Sequence, residues 1–357
     1  MRLVVLPGDG IGPEISTATC DVLELLNNRF ALGLSFDTHE IGLARLKKDR
    51  TTFPTSVADA CRDADGIILG PVSHATYPPR SEGGINVSGE LRITLDLYAN
   101  IRPSKTRDAL PHWGRTPMDL VIVRENTEGF YADRNMYWGV GEFMPTPDMA
   151  LAVRKITAES SRRIAVSAFQ LALSRRKKVT AVHKANVMKV SDALFLREVR
   201  AVAKNYPGVA YDEQLVDSMA ALLVRDAARF DVIVTTNMFG DILSDEAAEL
   251  SGSLGLAGSL NAGESHAMAQ AQHGSAPDIA GQGKANPTSL ILSAAMLLAW
   301  LARKHQQEKF SSAARIIELA IDSVLRDPAG RTPDLGGSLG TRAFTKALSE
   351  QIDRHAG

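Results

Sequence analysis

Asp241 and Asp245 lie four residues apart in the run Asn237-Met238-Phe239-Gly240-Asp241-Ile242-Leu243-Ser244-Asp245. On a helix that spacing puts both carboxylates on one face, where two unpaired negative charges repel. A divalent cation is one remedy. Capping of a helix N-terminus is the alternative use, and it accounts for one aspartate more easily than for two. Asp217, in Leu215-Val216-Asp217-Ser218-Met219, is a third aspartate whose placement spacing does not reveal. Arg92 and Arg102 stand ten positions apart, and Arg124 closes an apolar run just before Glu125-Asn126-Thr127-Glu128-Gly129-Phe130-Tyr131. Arginines at strand and loop ends grip carboxylates through paired N–H bonds, or else they are surface residues with solvated partners. Tyr131 follows a Gly-Phe pair, and a tyrosine in that setting is more often a half-buried packing residue than an acid. Lys184, in Val182-His183-Lys184-Ala185-Asn186, follows a strand-like run. There it is either a solvated lysine or one whose pKa is brought toward neutrality by desolvation or by neighbouring cations. His183 has no second histidine at a ligand spacing and reads as a satisfied polar residue.

These side chains need a scaffold, and the hydropathy pattern supplies one. Short β-branched runs at Leu3 to Leu6, Gly66 to Leu69, Leu120 to Val123, Val179 to Val182 and Val232 to Thr235 alternate with stretches of helical period. This is an α/β pattern. Thr157 to Leu173 and Ser191 to Lys204 read as helices packing on a sheet. From Gly252 to Gly263 the chain is rich in Gly, Ser and Leu, and a long loop to Pro287 is expected to follow; an irregular stretch from Asn135 to Pro147 carries Trp138 and Phe143. The opening Pro7-Gly8-Asp9-Gly10-Ile11-Gly12-Pro13-Glu14 follows a strand and enters a helix with a proline suited to its first position. Its glycines fall at 8, 10 and 12, whereas the dinucleotide fingerprint requires one at 13, so the segment is not a Rossmann motif. The loop His273-Gly274-Ser275-Ala276-Pro277-Asp278-Ile279-Ala280-Gly281 is built of small residues that let a flat ligand approach the backbone. An acid in such a loop can accept hydrogen bonds from both ribose hydroxyls of an adenosine and repel a 2′-phosphate; composition alone says only that this is an ordered loop.

Bulk properties remove several classes of function. The chain has 357 residues, 45% hydrophobic and 23% charged, enough for a sizeable core in two domain-sized units. Forty basic residues against 41 acidic ones give a net charge of -1, so there is no overall basic field to hold nucleic acid or an anionic membrane. The apolar stretch Leu290 to Ala302 is shorter than a bilayer crossing and reads as a buried helix. No secretory leader is recognisable, and a cytoplasmic location is the expectation. Cys20 and Cys61 have neither a metal-ligand nor a redox spacing and are expected to be small core residues.

Taken together, these segments resemble the metal-dependent β-decarboxylating dehydrogenases, the isocitrate, homoisocitrate and 3-isopropylmalate dehydrogenase family. The likeness rests on Gly8 to Glu14, Leu97-Tyr98-Ala99-Asn100-Ile101-Arg102-Pro103, Arg124 to Gly129, His183 to Asn186, Asn237 to Asp245, His273 to Gly281 and Asp334-Leu335-Gly336-Gly337, in the family's order along nearly the whole chain. The resemblance implies an open α/β sheet fold distinct from the Rossmann type, with two domains flanking a cleft. Residues 1–99 and 252–357 would form the cofactor-bearing domain, and 100–251 a smaller dimerisation domain with an intersubunit arm near 132–150. It also implies a homodimer with shared active sites.

By the same resemblance, Arg92, Arg102 and Arg124 bind the substrate carboxylates, with Asn86, Ser88 and Asn186 as further substrate contacts. Asp241 and Asp245, with Asp217 of the second subunit, hold Mg2+ or Mn2+. Lys184, acting in the partner's site, takes part in removing the hydroxyl proton, and Tyr131 reprotonates carbon. His273, Gly274, Ala276, Asp278 and Asn286 line the adenosine end of the cofactor. Asp278-Ile279 stands where NADP-using relatives carry Lys-Tyr, which points to NAD. Gln270-Ala271-Gln272-His273 replaces the family's usual Glu-Pro-Val-His. The substrate-reading segment Ile85-Asn86-Val87-Ser88-Gly89-Glu90-Leu91-Arg92 has the isocitrate-type Asn and Ser in reversed order, so the implied substrate is a 3-substituted malate of unspecified substituent. D-malate or tartrate dehydrogenation, or a non-catalytic regulatory subunit, are the alternatives.

Overall fold

In the first strand, Leu3 and Val5 join one apolar cluster while Val4 and Leu6 join another. That period of two is what a strand covered by helices on both faces requires. The computed structural model describes residues 1–131, 136 and 139–356. The strands are β1 (Arg2–Leu6), β2 (Ser35–Thr38), β3 (Gly66–Leu69), β4 (Ala99–Lys105), β5 (Asp119–Glu125) and β6 (Glu142–Thr146). They continue with β7 (Met149–Ala152), β8 (Lys178–His183), β9 (Ala210–Leu215), β10 (Val232–Thr235), β11 (Leu260–Ala262) and β12 (Ala267–Gln270). The helices are α1 (Gly12–Phe30), α2 (Gly42–Asp49), α3 (Thr55–Arg62), α4 (Val87–Thr94), α5 (Ala158–Leu173) and α6 (Ser191–Ala203). After them come α7 (Val216–Asp226), α8 (Asn237–Ser251), α9 (Thr288–His305), α10 (Glu308–Arg326) and α11 (Thr341–Ala356).

Two compact units emerge. The first comprises Met1–Leu97, Arg107–Pro111 and Gly252–Gly357; the second comprises Tyr98–Thr106 and His112–Ser251. In the first unit the strand order is β2-β1-β3-β12-β11, parallel except for the β11–β12 pair. One face is covered by α1, α9, α10 and α11 through Ile15, Leu23, Leu297, Ile317 and Phe344, and the other by α3 and α4 through Val57 and Leu91. Helix α9 is buried nearly all round, and no described helix is long and apolar enough to cross a membrane. The stretch rich in Gly, Ser and Leu contains β11, and the loop expected after it contains β12. None of their residues is β-branched, so they carry little local strand signal; β12 is extended by pairing with β3, and β11 by pairing with β12. Cys61 is buried and Cys20 half-buried; both thiols are free, and burial pushes both up to about 12.

In the second unit the order is β4-β5-β10-β8-β9, with β4 antiparallel to β5 and the remaining pairs parallel. Val121, Val123, Val179 and Val234 face α5 and α6, whereas Leu120, Ile122, Val182 and Ile233 face α7 and α8. Alternation therefore sends Arg124, two residues beyond Ile122, to the α8 side. The stretch expected to be irregular instead contains β6, which pairs antiparallel with β7 just beyond it, with Phe143, Met144, Met149 and Leu151 exposed. Of that stretch, Asn135 and Trp138 lie outside the described residues.

Candidate functional site

Register brings the arginines of the second unit together. Asn100 pairs with Arg124 across β4–β5 and Arg102 pairs with Ile122, so Arg102 and Arg124 are diagonal neighbours on one face. Strand β10 runs parallel to β5, with Thr235 opposite Arg124, and thus delivers the start of α8 beside that guanidinium. Gly240 makes the approach possible: a Cβ there would lie 2.7 Å from both Cβ and Cγ of Arg124. Asp241 and Asp245 then fall on one face of α8, as their spacing predicts.

The resulting cluster is densely bonded. Arg124 is 1% exposed and donates from Nε to Asn237 Oδ1 (2.8 Å), from Nη1 to Asp241 Oδ1, and from Nη2 to the Tyr131 hydroxyl (2.6 Å). Tyr131 in turn donates to Asp241 Oδ2 at 2.9 Å. Arg102 Nη1 lies 3.1 Å from both Asp241 Oδ1 and Asp245 Oδ1, and it donates to Ser244 Oγ at 2.8 Å. Burial, reinforced by repulsion from Arg124, pulls Arg102 down to about 10, which still leaves it cationic at neutral pH. Two guanidiniums thus meet two carboxylates and a phenol. Asn100, which accepts from Arg102 Nε at 2.6 Å, and Asn237 and Ser244 went unassigned from sequence although they lie within the recognised runs. Glu125 explains why Tyr131 is presented here. Its carboxylate accepts from the backbone N–H groups of Thr127 and Glu128, fixing the turn that leads to the tyrosine. Glu128 Oε1 accepts from Thr157 N at 2.8 Å, and burial pushes its carboxyl up to about 7.

Lys184 and Asp217 form a different pair. Strands β8 and β9 are parallel with His183 opposite Leu215, so the residues just beyond their carboxyl ends emerge side by side. Lys184 Nζ donates to Asp217 Oδ1 at 2.5 Å, and this bond holds the Asp217 carboxyl below the usual aspartate range. Asn186 is exposed in the following turn. Among the described residues of one chain, no three His, Cys, Asp or Glu side chains gather as a metal site. The two carboxylates on α8 have the hard-oxygen chemistry that Mg2+ or Mn2+ takes, and among the described residues no third such ligand joins them.

The remaining candidates belong to the first unit. Asn86 caps α4 by accepting from Gly89 N at 3.2 Å. Ser88 Oγ (3.0 Å), Arg92 Nη2 (3.2 Å) and Asn261 Nδ2 (3.3 Å) all donate to Gln270 Oε1, at the end of β12. An uncharged residue therefore gathers three donors. The loop from His273 is tied to the opening turn by Ile11 N donating to Ser275 O at 2.9 Å, and Gly10 has φ +59°, with a Cβ there placed 1.9 Å from that same oxygen. Beside this loop lies a 330 Å3 cavity lined by Ile11, His273, Gly274, Ala276, Asn286 and Asp334, among others. Its size and largely apolar wall suit a planar ligand. Asn286 Nδ2 donates to Asp334 Oδ2 at 2.9 Å, and burial pulls the His273 imidazole below the usual histidine range. Asp278 is exposed, adjacent in sequence to the lining residue Ile279.

Residues 2–352 match the family model described as isocitrate/isopropylmalate dehydrogenase. The chain is 40% identical over 353 residues to a 3-isopropylmalate dehydrogenase of Archaeoglobus fulgidus, covering 99% of each chain. It is 43% identical over 355 residues to an isocitrate/homoisocitrate dehydrogenase of Thermus thermophilus, covering 98% of each. Among solved structures it superposes on an isocitrate dehydrogenase from Methylococcus capsulatus with a TM-score of 0.86 and 38% identity, covering 98% of this chain and 99% of that one.

Proposed function

The chain belongs to the isocitrate/isopropylmalate dehydrogenase family, and from that premise we propose that it oxidatively decarboxylates a 3-substituted malate using NAD and Mg2+ or Mn2+. Its fold is that family's α/β type, and the activity class is a decarboxylating dehydrogenase of the isocitrate/isopropylmalate kind. The observation that carries the finer reading is the convergence of Arg102, Arg124, Tyr131, Asp241 and Asp245 in one bonded cluster. Arginines of this kind bind the carboxylates of a di- or tricarboxylic hydroxy acid, and Arg92 does the same from α4. Asp241 and Asp245 would hold the metal together with Asp217 of a second copy, and the metal would supply Lewis acidity toward the substrate hydroxyl and the charge left as CO2 departs. Lys184 of the second copy would take part in removing the hydroxyl proton and Tyr131 would return a proton to C3, while NAD, when bound, would be the acceptor of the C2 hydride. NADH formation from isocitrate, homoisocitrate, 3-isopropylmalate, D-malate and tartrate in the presence of NAD and Mg2+ tests this. Turnover of none of the five would leave a non-catalytic subunit as the better reading.

In this proposal the active sites are shared across a homodimer. Lys184 and Asp217 bond to each other rather than to the Tyr131 cluster, and the exposed apolar side chains of β6–β7 are of the kind a second copy covers. Lys184→Ala and Tyr131→Phe chains are each expected to be nearly inactive. Denaturing and refolding them together should recover about a quarter of wild-type activity, because half of the random dimers then contain one intact site. No recovery from a mixture shown to contain heterodimers would contradict shared sites.

Preference for NAD rests on Asp278. Asp278→Lys replaces a charge that repels a 2′-phosphate with one that attracts it, and the NADP to NAD ratio of kcat/KM is expected to rise at least roughly tenfold. An unchanged ratio would remove Asp278 from cofactor selection.

A further inference from the structure

Lys184 lies just beyond the end of β8, where its backbone N–H has left the strand ladder, and one buried carboxylate takes that donor: Asp192 Oδ2 accepts it at 2.5 Å. Asp192 sits in the first turn of α6 and is completely buried. A buried carboxylate needs a buried partner, and its other oxygen is bonded by Arg154 Nη1. The same nitrogen donates to Ser191 Oγ at 2.9 Å, and Arg154 Nη2 donates to Thr236 Oγ1 at 3.0 Å. The guanidinium also lies against two aromatic rings, 5.6 Å from the centroid of Phe130 and 5.4 Å from that of Phe239.

The sequence positions of these partners are informative. Phe130 immediately precedes Tyr131; Thr236 and Phe239 flank the start of α8, which carries Asp241; Asp192 holds the peptide of Lys184. One cation therefore touches the segments that present the proton donor and the α8 carboxylates, and through Asp192 it reaches the segment that presents the amine. Neither Arg154 nor Asp192 bonds a residue of the Arg102–Arg124 cluster in these contacts, so no substrate-binding role accounts for them. A salt bridge isolated from solvent is a poor way to gain stability alone, because desolvation offsets the attraction. Its geometric rigidity is what distinguishes it from an apolar pair.

We propose that Arg154 and Asp192 are positioning residues that set the orientation of Lys184 for proton transfer; this rests on the role given to Lys184 above. A displacement of about 1 Å in such a group costs on the order of a hundredfold in rate without altering substrate affinity. The test compares wild type, Asp192→Asn, Arg154→Lys and Lys184→Ala, using whichever of the five hydroxy acids wild type turns over fastest. For folded Asp192→Asn, kcat is expected to fall roughly 10- to 100-fold, with KM for substrate and NAD within about twofold, because Lys184 is misaimed while the arginines and the cofactor loop are untouched. A purely structural role would lower the melting temperature and the folded fraction but leave kcat per folded molecule unchanged, and that result overturns the proposal. Arg154→Lys keeps the charge and serves if Asp192→Asn does not fold; the same kcat loss is expected. Loss of folding in both would mark the pair as scaffold only, again overturning it. Near-normal activity of Lys184→Ala would instead defeat the assignment of Lys184, a separable failure.

Discussion

Replacing Lys184 by alanine is expected to lower kcat by roughly a thousandfold, the middle of the range for removal of a positioned acid–base group, while leaving the protein folded and able to bind NADH. The side chain is 25% exposed, and its visible partner, Asp217, is 62% exposed. An ion pair so open to solvent contributes little to stability, so the loss falls on chemistry rather than on folding. The backbone bond from Lys184 N to Asp192 survives the substitution, which keeps the turn in place. Steady-state kinetics beside a thermal melt and an NADH fluorescence titration make the measurement. A variant retaining more than a tenth of wild-type kcat would show that another group takes the proton.

Exhaustive chelation is expected to abolish NADH formation, and Mg2+ or Mn2+ should restore it. The contacts of α8 give the reason. Arg102 bonds Asp241 and Asp245 and Arg124 bonds Asp241, so the proposed metal ligands are paired with the guanidiniums that the proposal gives to the substrate. On the proposed assignment, a divalent ion held by the carboxylates would free those arginines for the anionic substrate, so its removal would cost substrate binding as well as Lewis acidity. The fold should persist, because the same ion pairs compensate the charges once the metal has gone. Unimpaired turnover in protein shown to be metal-free by elemental analysis would contradict the role of Asp241 and Asp245.

Local pattern carried the parts of the molecule that depend on near neighbours. The β-branched runs at 66–69 and 232–235 coincide with β3 and β10, and the i, i+4 spacing of Asp241 and Asp245 predicts the shared face that α8 provides. Features set by distant partners were not readable in the same way. The Lys184–Asp217 bond exists because β8 and β9 run parallel in a particular register, a fact stored in no window of sequence around either residue. Strands β11 and β12 are extended by pairing rather than by propensity. Gln270 was visible as a departure from the family, but its function as a common acceptor for Ser88, Arg92 and Asn261 depends on folding that brings β11, β12 and α4 together. Arg154 and Asp192 went unnoticed because a buried ion pair formed across 38 residues has no periodicity to betray it.

The contact between Gly240 and Arg124 also sets terms for protein engineering. A library that randomises 237–245 in search of new substrates will recover glycine alone at the fourth position, since even a methyl group meets Arg124 Cβ and Cγ at 2.7 Å. Diversity is better spent on Ile242, whose side chain is 61% exposed on the same helix. Within one turn of α8, an exposed position that tolerates change thus adjoins one that admits glycine alone.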